Sequence, residues 1–85
     1  MWDDYETVTK PRRKRAVLRL MDESGLALPP KIIHINLERR GATFSLNTVR
    51  RHIKEMEEEG FVRKIEQGRG VYEITDDGRE WLYSG

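Results

Sequence analysis

The stretch SLNTVRRHIKEMEEEG, residues 45–60, decides how the rest of the chain is interpreted. Its apolar residues Val49, Ile53 and Met56 recur with helical spacing, so the stretch predicts an amphipathic helix over residues 46–59. The serine that begins the stretch is a favourable N-cap residue. The glycine that ends it adopts the left-handed conformation of a helix stop without a steric penalty.

The outer face of this helix is divided by charge. Its first half carries an amide and three cations, and its second half carries four glutamates: Asn47, Arg50, Arg51 and Lys54, then Glu55 and Glu57–Glu59. Cations and an amide on the first turns suit a helix that enters a DNA groove. The alternative is an ordinary surface helix whose charges are only solvated.

Length and composition indicate one small folded domain. The chain has 85 residues, 36% of them charged and 36% hydrophobic. It contains no cysteine, which excludes disulfides, zinc fingers and thiol catalysis. No apolar run approaches the roughly 18 residues of a membrane-spanning helix, and the N-terminus does not resemble a signal peptide. A cytoplasmic location is therefore expected.

The net charge of +1 conceals a separation of charge along the chain. Residues 1–9 carry three acids and no cation, and they are expected to form a flexible acidic segment ahead of a domain over 10–85. Residues 10–15 carry five cations and no acid. Within this block, Arg12, Arg13 and Lys14 are expected to contact backbone phosphate or to enter the minor groove. A block that merely aids solubility is the alternative.

The remaining elements follow in a simple order. Thr9 is expected to cap a first helix that ends before Gly25, and a second helix is expected over residues 31–40. The inner face of the second helix is predicted from its apolar residues, Ile32, Ile33 and Leu37. Residues 42–44 are expected to form a short strand.

After residue 60 the apolar spacing becomes that of β-strands. Strands are predicted at 61–65 and 71–74, joined by a basic glycine-containing turn at 66–70. Thr75 is expected to cap a short last helix. The predicted class is therefore α+β, mostly α, in the order helix, helix, short strand, helix, β-hairpin wing, short helix. This order is that of a winged helix-turn-helix.

The sequence resembles the winged-helix DNA-binding domains of prokaryotic transcription regulators. The residues that carry the likeness are TFSLNTVRRHIKEMEEEGFVRK (43–64) and GRGVYEITDDGREWL (68–82). The stretch LPPKIIHINLERRGATFS (28–45) is similar to haloarchaeal phage-repressor-like proteins. Together the resemblance covers residues 10–83.

The resemblance implies which residues contact DNA. The major-groove set on the third helix would be Ser45, Asn47, Thr48, Arg50, Arg51 and Lys54. From the wing, Arg69 with Lys64 or Gln67 would reach a phosphate or the minor groove. Arginine pairs with guanine, and asparagine with adenine, through two hydrogen bonds.

These observations predict a sequence-specific double-stranded DNA-binding protein, a repressor-like transcriptional regulator. The alternatives are a winged-helix module that binds another protein and not DNA, and a binder of structured RNA. A homodimer is expected because one small domain offers a limited interface. Its candidate surface is terminal and largely aromatic: Trp2, Tyr5, Trp81, Leu82 and Tyr83.

No catalytic or cofactor site is expected. His34 and His52 lie on different predicted helices without a convergent set of ligands, which argues against a metal site. Asp76 and Asp77 follow a helix cap, where acids favour the helix dipole. The motif Gly68-Arg69-Gly70 is too short for a phosphate-binding loop.

Overall fold

The computed structural model describes residues 5–66 and 68–84, with side chains described from residue 11 onward. Its elements, in chain order, are α1 (Tyr5–Ser24), α2 (Pro30–Arg39), α3 (Leu46–Glu58), β1 (Val62–Lys64), β2 (Tyr72–Ile74) and α4 (Asp76–Ser84). The strands pair antiparallel in the register Val62–Ile74, Arg63–Glu73 and Lys64–Tyr72. The predicted mostly helical α+β class and its hairpin wing are confirmed.

A single core joins all six elements. α1 packs against α2, α3, α4 and β2, so the other elements are arranged around it. Every element supplies buried side chains: Val17, Leu18, Leu20 and Met21 from α1, Ile33 and Leu37 from α2, Val49, Ile53 and Met56 from α3, and Val62, Ile74 and Leu82. Full burial of one such side chain contributes about 1.5–3 kcal/mol, so this cluster is the main source of stability.

α1 begins earlier than the sequence indicates. It starts at Tyr5, so Thr9 lies inside the helix and does not cap it, and Pro11 is an interior residue. A proline inside a helix removes one hydrogen bond, at a cost of about 3 kcal/mol, and for that reason the sequence favours a start near Pro11. The part of the predicted flexible segment that precedes Tyr5 lies outside the described residues.

The short strand predicted at residues 42–44 is not formed. The backbone there bonds to α2 instead: Ala42 N donates to the Leu37 carbonyl at 3.0 Å, and the Phe44 carbonyl accepts from His34 Nε2 at 3.1 Å. The third segment that pairs with the hairpin is Leu28. It exchanges two backbone hydrogen bonds with Tyr72, at 2.8 and 2.9 Å.

α2 also turns one predicted core residue outward. Ile33 and Leu37 are buried, whereas Ile32 is 38% exposed. Because successive helical residues differ by about 100°, a helix that buries the i, i+4 pair at positions 33 and 37 carries position 32 to its flank. The prediction that Ile32 lines the inner face is therefore wrong.

Candidate nucleic-acid interface

α3 is held by its cap and by its buried face. Ser45 Oγ accepts a hydrogen bond from Thr48 N at 3.2 Å, which confirms the predicted N-cap. Val49, Ile53 and Met56 are all 1% exposed or less. The rotation of the helix about its own axis is thus fixed by packing, and its outer face has one defined direction.

That outer face carries the predicted recognition residues. Asn47, Arg50, Arg51 and Lys54 are all exposed on the first three turns. Ser45 and Thr48 also lie near the start of α3, but their hydroxyl groups are within hydrogen-bond distance of each other at 3.2 Å. The four exposed side chains can donate to a ligand without first breaking a contact of the cap.

The acidic half of α3 is partly neutralised from α1. Lys14 Nζ lies 3.3 Å from Glu55 Oε1 and 3.4 Å from Glu59 Oε1. The Lys14 side chain is only 12% exposed. A phosphate contact by Lys14, as the sequence predicts, requires it to leave these carboxylates. Its position instead reduces the negative potential beside the predicted recognition residues.

The wing extends the basic surface. Lys64 and Arg69 are both exposed, and Gly70 turns the chain with φ +64°. The neighbouring Arg63 is occupied by an ion pair with Glu73 across the hairpin. Gln67, the remaining wing candidate, lies outside the described residues.

A basic groove separates α3 from the wing. It has a volume of about 410 Å³, and its cations are Lys31, Arg50 and Lys54. Gly70 and Tyr72 line the side formed by the hairpin. Lys31 was missed by the sequence analysis, and its only local signal is its place after the two prolines that begin α2.

A second basic groove lies between α1 and the connection from α2 to α3. It has a volume of about 720 Å³ and is lined by five arginines: Arg12, Arg13, Arg15, Arg19 and Arg40. Ala16, Leu37, Ala42 and Phe44 supply apolar lining. Arg19 and Arg40 were not among the predicted contacts, since they are distant in sequence and share no motif. We call this site the arginine groove.

Two arginines of the basic block on α1 contact aromatic rings while they line the arginine groove. Arg13 lies over the Phe44 ring, 5.4 Å from its centroid. Arg15 donates to the Leu82 carbonyl at 2.9 Å and lies 4.6 Å from the centroid of the Trp81 ring. Within the predicted block, Arg12, Arg13 and Arg15 line the arginine groove, whereas Lys14 lies beside Glu55 and Glu59.

His52 is the buried polar residue closest to this interface. It is 1% exposed, and its Nδ1 lies 3.2 Å from Glu55 Oε1. Its Nε2 has no hydrogen-bond partner within the described residues. Burial lowers the pKa of His52 below its ordinary value, and the hydrogen bond to Glu55 opposes that shift. Among the described residues, no group of three or more His, Asp or Glu side chains is arranged to hold a metal ion.

The residues predicted to form a dimer surface are mostly used within one chain. Leu82 is 3% exposed, and Trp81 stacks on Phe61 with ring centroids 5.2 Å apart. Tyr83 is 65% exposed, and its hydroxyl donates to Asp22. Trp2 and the side chain of Tyr5 lie outside the described residues. Leu82 therefore belongs to the core and is not available for a second copy.

Comparison with known proteins identifies one family. The model of the ribonuclease R winged-helix domain matches residues 15–82, from the basic block of α1 to the buried leucine of α4. Searches of curated proteins and of solved structures found no match. Within the described residues, no helix has both the length and the apolar character needed to cross a membrane.

Proposed function

We propose that this chain, which belongs to the ribonuclease R winged-helix domain family, binds double-stranded DNA in a sequence-specific manner, as a repressor-like transcriptional regulator. Winged-helix domains serve in nucleic-acid binding or in protein interaction. The observation that supports nucleic acid here is the exposed set Asn47, Arg50, Arg51 and Lys54 on one face of α3. The wing adds the exposed cations Lys64 and Arg69.

The groove dimensions of the two nucleic acids favour DNA over duplex RNA as the ligand of an inserted helix. The major groove of B-DNA is about 12 Å wide and admits a helix, whereas the major groove of A-form RNA is deep and narrow. Insertion of α3 would bring Arg50, Arg51 and Asn47 to base edges. The wing at 66–70 would then meet the flanking backbone. Each paired contact to a base would discriminate by about 1–3 kcal/mol.

Two observations support other candidates. The family description names a ribonuclease, which supports binding to RNA. The acidic half of α3 and the net charge of +1 support a protein-interaction module that does not bind DNA. A homodimer on a pseudo-palindromic site is part of our proposal, and Tyr83 is the exposed member of the predicted surface among its described side chains.

Fluorescence anisotropy with labelled duplex DNA tests the proposal. We expect micromolar binding to random duplex and a linear fall of log K with log salt concentration, since phosphate contacts release counterions. Arg51→Glu should weaken binding at least about tenfold, because it replaces a donor by a charge that phosphate repels.

Arg39→Glu is the matched control. Arg39 is exposed on α2 and lines neither basic groove, so this reversal changes the net charge equally but should weaken binding far less. Equal or tighter binding of an RNA duplex would favour the RNA candidate. No binding to either duplex at low salt would overturn the proposal in favour of the protein-interaction module.

A further inference from the structure

The arginine groove concentrates positive charge, and its lining contains no carboxylate among the residues that the structure describes. Its five guanidinium groups come from α1 and from Arg40, just after α2. Guanidinium groups carry positive charge, so those in the groove repel one another. A bound polyanion would relieve that repulsion, and phosphate matches the planar donor geometry of arginine.

The five arginines of the groove differ in their contacts and exposure. Arg15 is held by the carbonyl of Leu82 and by the Trp81 ring, and Arg13 lies over Phe44. These two shape the groove. Arg12, Arg19 and Arg40 are exposed along it.

Glu23 competes with a ligand for Arg40. Arg40 Nη2 lies 2.8 Å from Glu23 Oε1, with the two side chains 46% and 50% exposed. An ion pair so exposed to water is weak. A phosphate entering the groove can therefore replace or share this contact.

The spacing along α1 fits a nucleic-acid strand. With a rise of about 1.5 Å per residue, the helix carries Arg12 and Arg19 roughly 10 Å apart along its axis. One strand of DNA carries a charge every ~3.4 Å along the duplex axis. The groove is thus long enough to face more than one phosphate of a strand.

The groove also adjoins the recognition helix. Phe44, in its lining, directly precedes the Ser45 cap of α3. We propose that the arginine groove binds the phosphate backbone of one nucleic-acid strand that continues past the N-terminus of α3. This inference rests on the proposed function, and it adds Arg19 and Arg40 as backbone contacts.

The salt dependence of binding tests the inference. Arg19→Gln, Arg40→Gln and the double variant are compared with Arg39→Gln, which removes a neighbouring cation outside the groove. Each lost phosphate contact lowers the slope of log K against log salt by about 0.9 for B-DNA. We expect a loss of about 0.9 for each single variant and about 1.8 for the double variant. Arg39→Gln should leave the slope unchanged.

Failure of the inference is distinguishable from failure of the proposed function. An unchanged slope for the double variant, together with weakened binding by Arg51→Glu, would overturn the groove assignment alone. If titration with inorganic tripolyphosphate shifted the Arg19 side-chain NMR signal while the DNA slope stayed unchanged, a small-anion site would replace it. Wild-type protein that binds no duplex would overturn both. Thermal melts of each variant exclude loss of the fold as the cause.

Discussion

His52 shows how one buried side chain links α3 to solution pH. Its ring is enclosed by the core, with Glu55 at one nitrogen and the charges of Lys14 and Arg51 nearby. Burial favours the neutral ring, so its pKa in the folded protein lies below the ordinary value of 6.5. The unfolded chain therefore binds a proton more readily than the folded chain.

The consequence is a loss of stability in mild acid. As pH falls below about 6.5, the unfolded state gains a proton before the folded state does, so the free energy of unfolding declines by up to about 1.4 kcal/mol per pH unit. This decline continues until the lower pKa of the folded state is reached. His52→Leu should abolish this decline, because it removes the titrating ring. Nε2 has no hydrogen-bond partner to lose among the described residues.

Urea denaturation of the wild type and of His52→Leu between pH 7.5 and 5 measures this effect. The Asp22 carboxyl group does not contribute to the pH dependence of stability in this range. The hydrogen bonds from Tyr83 and then Arg79 lower its pKa below 3.8, so its contribution is lost at more acidic pH. Identical pH profiles for the two proteins would contradict the assignment to His52.

At the scale of the element, α4 is fitted against the hairpin through one glycine. Gly78 is buried, and a Cβ placed there would lie 2.2 Å from the Phe61 carbonyl oxygen and 2.9 Å from Ile74 Cγ1. The first of these atoms is backbone and cannot move aside like a flexible side chain. The last glycine of the motif that carries the family resemblance is thus a packing residue.

Gly78→Ala should therefore destabilise the protein although it improves helix propensity. Alanine in a helix is favoured over glycine by about 0.8–1 kcal/mol, whereas overpacking against backbone costs about 1–3 kcal/mol. We expect a net decrease in the free energy of unfolding, measured by urea denaturation. Glu80→Ala, an exposed change on the same helix, is the control and should be nearly neutral. A more stable Gly78→Ala protein would contradict the close packing.

The elements differ in how far the sequence predicts them. Local signals define α3, because the apolar spacing, Ser45 and Gly60 act within one helix, and the observed helix ends within one residue of the prediction. The pairing of Leu28 with Tyr72 joins segments far apart in the chain, so no local sequence pattern predicts it. The sequence does not predict the arginine groove for the same reason, since Arg19 and Arg40 come to line one groove only after α1 and α2 pack together.

For the whole molecule, α1 is the element that closes the fold. It contacts the other helices and β2, and Arg15 joins it to the end of α4 through the Leu82 carbonyl. The C-terminal residues are thereby committed to the core of one chain. A terminal dimer surface that includes Leu82 is incompatible with this packing.

Leu82→Ala distinguishes a role of Leu82 in the core from a role in a dimer interface. We expect the free energy of unfolding to fall by about 2–5 kcal/mol, as for other buried leucines, because the substitution leaves a cavity beside α1. Sedimentation of the remaining folded protein should be unchanged. Ser84→Ala, an exposed change in the same helix, is the control. Dissociation of an oligomer without a loss of stability would show instead that Leu82 serves an interface.

The paired hydrogen bonds between Leu28 and Tyr72 have a consequence for the entropy of binding. They join one edge of β2 to the segment before α2, and the hydrogen bonds to β1 hold the other edge of β2. A backbone held on both sides has little conformational freedom left to lose when a ligand arrives. The orientation of the wing relative to α3 is therefore set during folding. A ligand that contacted the wing would cost β2 little further conformational entropy.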